Sequence, residues 1–159
     1  MDLGQIELDI EYFTSGTADD SQRFHQAAAW IAKQYNVPHL RLSVSIVDDA
    51  TIRAVNRDQL QHDWATDVIS FQIECTDKLV DGEVIASAET AARLSKQAGW
   101  HASDELLLYV VHGMLHVVGL DDIQQGDRLQ MRNAERDCLT ALQVANAQQL
   151  QQHWQNFLQ

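Results

Sequence analysis

A chain of 159 residues is long enough to bury one core of ordinary domain size. Its 45% hydrophobic content excludes wholesale disorder. Its 23 acidic side chains against 11 Lys and Arg give a formal charge of −12, which argues against a broad basic face for polyanions. A local basic cleft, or a metal that takes phosphate, stays open. The opening residues carry no basic stretch ahead of an apolar one, and the longest apolar runs, 27–32 and 106–111, are too short to cross a bilayer. No membrane and a cytoplasmic location are therefore expected. Cys75 and Cys138 are too few for a disulfide framework or a Cys-rich metal site, and both read as small apolar fillers.

Ile6, Leu8 and Ile10 alternate with polar residues and predict a half-buried first strand. Asp20 or Ser21 is placed to cap a helix reaching about Tyr35, with Phe24, Ala28, Ile31 and Ala32 as its apolar stripe and Pro38 as a stop. Leu40, Leu42, Val44 and Ile46 give the clearest strand. Asp48 or Asp49 opens a short helix through Val55 and Leu60. Residues 66–73 and 79–87 predict two more strands, close enough for a hairpin-like pairing. Helices follow at 89–99, ended by Gly99, at 104–118, with Gly119 just past it, and at about 125–142. The Gln-rich residues 143–159 are a helical extension or a frayed end of what reads as a single domain spanning 1–159. Strands mostly first and helices mostly last predict an α+β fold, a small mixed sheet of about four strands packed with helices.

Residues 109–122, Y-V-V-H-G-M-L-H-V-V-G-L-D-D, hold the chemistry. His112 and His116 share one helix face with Cβ atoms ~6 Å apart, close enough for both imidazoles to reach one ion at ~2.0–2.1 Å. Asp122 lies beyond the helix-ending Gly119, where a reversing chain returns a carboxylate to the same point. Either Asp121 or Asp122 could instead cap the next helix. A lone histidine in an apolar run is usually a satisfied core residue, but no acidic neighbour at helical spacing is available to pair with either ring. Three protein ligands would leave a position for water, as catalytic sites do. Gly113 stands where a metalloprotease carries its general-base Glu, which argues against peptide hydrolysis.

His112-Gly113-Met114-Leu115-His116-Val117-Val118-Gly119-Leu120-Asp121 resembles the signature of the YbeY single-strand-specific endoribonucleases. Asn56, Asp63 and Thr66-Asp67-Val68-Ile69-Ser70-Phe71 are similar to a second family motif, and Gly82-Glu83-Val84-Ile85 to a third. The likeness spans about residues 40–140. It implies a small α+β fold, a zinc ion, a cytoplasmic enzyme and a part in ribosomal RNA maturation and ribosome quality control. Two positions depart from the pattern. The third ligand is usually His in the family and is Asp122 here, and Leu60 stands where many members carry an arginine.

On this reading one divalent ion, zinc first, sits on His112, His116 and Asp122, and water activated there hydrolyses phosphodiester bonds. Asp67 is a candidate catalytic residue that orients the water or a ligand imidazole, or else caps a turn. His62 and Arg57 are candidate replacements for the missing arginine. Arg57, Arg41 and Arg53 are candidate contacts to single-stranded RNA or ribosomal subunits, and Trp64 either stacks a base or is buried. Arg128, Arg132 and Arg136 read as a solvated face paired with Asp127, Glu135 and Asp137. The competing classes are another metal-dependent hydrolase, an Fe(II) oxygen site, and a non-catalytic ribosome assembly factor with a structural metal.

Overall fold

The computed structural model describes residues 4–145 and 147. Nine elements follow one another: β1 (Gln5–Tyr12), α1 (Ser21–Gln34), β2 (His39–Val47), α2 (Asp49–Leu60), β3 (Val68–Cys75), β4 (Val80–Ser87), α3 (Ala88–Ala98), α4 (Ala102–Val117) and α5 (Gln125–Ala141). The strands form one mixed sheet in the order β1-β2-β4-β3. β1 pairs with β2 and β2 with β4 in parallel, while β3 and β4 run antiparallel as the expected hairpin-like pair.

Alternation decides which strand faces are covered. Leu40, Leu42, Val44 and Ile46 of β2 all point into the main core, where they meet Phe24, Ala28 and Ile31 of α1 and the buried run of α4. From Glu105 to Val111 every residue of α4 is buried. Such a helix has no solvent stripe, so it lies between the sheet and other helices. α5 packs chiefly on α4 and α1 through Met131, Ala134, Cys138 and Leu139. α2 covers part of the opposite sheet face with a second small cluster, Val47, Ile52, Ile69 and Ile85.

Two glycines set how closely α4 lies on the sheet. A Cβ on Gly82 of β4 would stand 2.4 Å from Val117 Cγ1 and 2.8 Å from the Phe71 carbonyl oxygen. A Cβ on Gly113 of α4 would stand 2.7 Å from Val84 Cγ1. Gln72 of β3 also donates to the Val117 carbonyl at 2.8 Å, which satisfies one of the helix's terminal acceptors. The end of α4 is thus held against β3 and β4.

Local details differ from expectation at the caps. Asp20 precedes α1 without a capping hydrogen bond, because its carboxylate pairs with Arg23; Ser21 is the first helical residue and its amide donates to Asp19. Asp48 does cap α2 through the Thr51 amide. Thr66 and Asp67 precede β3 rather than belonging to it. Cys138 is buried as expected, whereas Cys75 is exposed at the end of the edge strand, so it fills nothing. The 143–159 segment lies outside the described residues except for 143–145 and 147.

Gly82→Ala is expected to destabilise the fold by about 1–3 kcal/mol, since the Phe71 backbone cannot step aside as a flexible side chain would. The midpoint of chemical denaturation measures this; an unchanged midpoint would show that α4 is not held so closely.

Candidate metal centre

His112 and His116 sit one turn apart on the last turns of α4. Beyond the cap at Val118, Gly119 takes φ +113°, a conformation that strains any residue with a Cβ, and the chain reverses there. Its amide donates to the His116 carbonyl at 3.0 Å and the Leu120 amide to that of Leu115 at 3.0 Å. This reversal carries Asp122 back to the histidines. Neither Asp121 nor Asp122 caps α5, whose N-cap is Gln124.

Three ligand atoms converge. His112 Nε2 and His116 Nε2 are 3.1 Å apart, and Asp122 Oδ2 lies 3.2 Å from the second and 3.4 Å from the first. A tetrahedral ion with bonds of ~2.0–2.1 Å keeps neighbouring ligand atoms about 3.3 Å apart. Among the described residues these three side chains form the one cluster of this kind.

The outer ring nitrogens decide what the inner ones offer. His116 Nδ1 lies 2.8 Å from the Leu120 carbonyl oxygen, which can only accept, so this nitrogen carries the proton. His112 Nδ1 lies 2.6 Å from Glu135 Oε1. Neutral rings in these tautomers turn two Nε2 lone pairs toward a carboxylate, an arrangement that a cation relieves. The residues fit a metal. Without one, a proton must take its place. Burial opposes a charged His112, but hydrogen bonds to Asp122 and Glu135 outweigh it and push the ring up to about 9. The hydrogen bond from His112 holds Asp122 down to about 2, against its burial.

Glu135 is the residue that sequence reasoning misplaced. It was expected on a solvated face, yet it is fully buried, with Arg132 Nη1 at 2.8 and 2.7 Å from its two oxygens. The signal was present: Glu135 falls at helical spacing within the stripe Met131, Ala134, Cys138 and Leu139. The neighbouring arginines are engaged too, Arg128 with the Ile123 carbonyl and Arg136 with Asp137.

A cleft of about 350 Å³ opens over the three ligands. Its walls are Asn56 and Leu60 of α2, His62 and Trp64 of the following loop, residues 66–70, and the ligands themselves. Asp67 lines it, with Oδ1 accepting from the Val68 amide at 2.8 Å and the Thr66 hydroxyl at 3.3 Å. The imidazoles are oriented by Glu135 and Leu120 instead. Trp64 is 55% exposed, which removes the buried alternative. Arg53 pairs with Asp63 at 2.9 Å and Arg57 with Asp58 at 3.0 Å, both outside the cleft wall. Arg41 lies on β2, two strands from β3, paired with Glu7 and Asp81.

A mixed α+β fold with two imidazoles and one carboxylate converging below an open cleft defines a class: proteins with a candidate mononuclear centre of the three-ligand, catalytic kind. Comparison with known proteins narrows it. The family model for endoribonuclease YbeY matches residues 7–143, and the chain belongs to that family. A Rhodopirellula baltica endoribonuclease YbeY is 51% identical over 96 residues, covering 59% of this chain and half of that relative's length. A Porphyromonas gingivalis endoribonuclease YbeY is 31% identical over 137 residues, covering 84% of this chain and 90% of the relative. The solution structure of a Thermotoga maritima protein shares the fold, with a TM-score of 0.59 at 17% identity over 91% of this chain and 95% of its own.

Two outcomes are expected of purified protein. Metal affinity should rise as pH increases toward about 9 and level off above it, because below that value the ion must displace the His112 proton. Competition with a chromophoric chelator across pH 6 to 9 reads this, and a flat profile would contradict it. Glu135→Gln should weaken metal binding by about 10–100-fold in the same assay, because the His112 ring loses its charged acceptor.

Proposed function

We propose that this chain is a metal-dependent endoribonuclease that cuts single-stranded RNA, with ribosomal RNA as its substrate in maturation of the small-subunit 3′ end. The reading takes the chain as one cytoplasmic catalytic domain over residues 1–159. Among the described residues, no helix is long and apolar enough to cross a membrane. The observation that carries the reading is the convergence of His112, His116 and Asp122 at 3.1–3.4 Å beneath an open cleft, in a chain of the YbeY family.

Two imidazoles and a carboxylate suit zinc, which when bound supplies Lewis acidity and a water acidified toward a pKa of ~7. This chain's residues do the rest. His112, His116 and Asp122 fix the reacting position against one wall of the cleft. Asp67, which also lines the cleft, orients the attacking water and takes up its proton. Ser70, which also lines the cleft, offers a hydroxyl to a phosphate oxygen, while the Thr66 hydroxyl donates to Asp67. Arg57 and Arg53, on α2 and paired with Asp58 and Asp63, are the candidate contacts to the strand's phosphates.

One observation favours a second reading, a non-catalytic assembly factor that binds ribosomal subunits. The residues lining the cleft include no lysine or arginine, and exposed Leu60 occupies the place of the family's arginine. Incubation with single-stranded and duplex RNA, with and without chelator, separates the two. Chelator-sensitive cleavage of the single strand is expected; intact RNA throughout, with retained subunit binding, would favour the assembly factor. His116→Ala should lose metal and cleavage together, whereas Asp122→His should keep both. Full metal content in His116→Ala by elemental analysis would show that the centre is wrongly assigned.

A further inference from the structure

The mouth of the cleft is aromatic where a nuclease would ordinarily be basic. His62 and Trp64 stack with ring centroids 4.5 Å apart and planes 10° from parallel. Both line the cleft that holds the three metal-ligand candidates, and Leu60 beside them is 44% exposed. Trp64, being more than half exposed, leaves ring surface open to solvent, an unfavourable arrangement for so large an apolar group.

The loop carrying the pair is tied down at four points. Gln61 takes the left-handed conformation that ends α2, with its amide on the Arg57 carbonyl at 3.1 Å, and the His62 amide donates to the Asn56 carbonyl at 3.1 Å. The buried Asn56 side chain donates to the Trp64 carbonyl at 3.0 Å. Asp63, between the two rings, is held by Arg53 at 2.9 Å. A stack presented by so anchored a loop has little ordering entropy left to lose on binding.

We propose that the His62–Trp64 stack is a nucleobase platform that holds one unpaired RNA base beside the scissile phosphate. The proposal rests on the nuclease reading for its substrate and on the ring geometry for its site. A flat π-surface takes any base, and only a base free to leave its own stack can lie on it, so the platform selects single strands without reading sequence. It also answers the chain's charge: stacking gives grip that does not depend on neutralising phosphates, which a protein of net charge −12 does poorly.

The test compares a short fluorescein-labelled oligouridylate with an abasic ribose-phosphate strand of the same length. Anisotropy titration in the presence of chelator prevents cleavage, and because the two probes carry equal phosphates, their difference isolates the base. The wild-type chain should bind the oligouridylate about tenfold more tightly than the abasic strand. Trp64→Ala should bind both alike, Trp64→Phe should keep most of the preference, and all three proteins should melt together because the position is exposed. The ratio between the probes should change little between low and moderate salt. Equal binding of both probes by the wild type, or an undiminished preference in Trp64→Ala, overturns the proposal. A base preference lost in Trp64→Ala, in a protein that never cuts RNA, would uphold the platform and remove the nuclease reading. Chelator-sensitive cleavage without base preference would do the reverse.

Discussion

Two imidazoles 3.1 Å apart, with their outer nitrogens engaged by acceptors and one carboxylate oxygen 3.2 and 3.4 Å away, form an arrangement that only a cation or a shared proton can hold together. Much of the surrounding structure supplies the conditions for that convergence. α4 must lie close to the sheet, and Gly82 and Gly113 permit the approach. The chain must reverse sharply after His116, and Gly119 allows it. A charged acceptor must stand behind His112, and α5 brings Glu135 there.

Glu135 shows why the centre needs a core rather than a surface. A fully buried carboxylate is unfavourable unless it is paired and hydrogen-bonded. Arg132 and His112 together satisfy it, so that neither ring orientation nor tautomer is left to solvent. Hydrogen bonds to a charged partner are also stronger than neutral ones, which suits a ring that must keep its place while water and substrate exchange in front of it.

The cleft above is unlike its floor. The floor is polar and anionic, whereas Leu60, His62 and Trp64 make the mouth apolar and aromatic. Leu60 lines the cleft with an exposed apolar side chain, and no lysine or arginine stands among the lining residues. Arg57 and Arg53 of α2 are held by Asp58 and Asp63. An RNA strand held by the proposed platform would lean on ring faces rather than on charge, which suits an acidic protein.

The residues alone determined whatever depends on short-range geometry. A strand alternates every second residue and a helix repeats every 3.6, so the strands of the sheet, the helices and the His112–His116 pair were legible from spacing. Asp122 was legible because a glycine after a helix end reverses the chain locally. Tertiary structure alone decided which charged and aromatic side chains are inside. Glu135 shares the spacing of the apolar stripe Met131, Ala134, Cys138 and Leu139, but its partner His112 lies 23 residues away, and only the packing of α5 on α4 brings it against the ring. Trp64 looks like core and is held outward by its loop, while Cys75 looks like filler and ends an edge strand. Burial belongs to the assembled layers, and no single segment carries it.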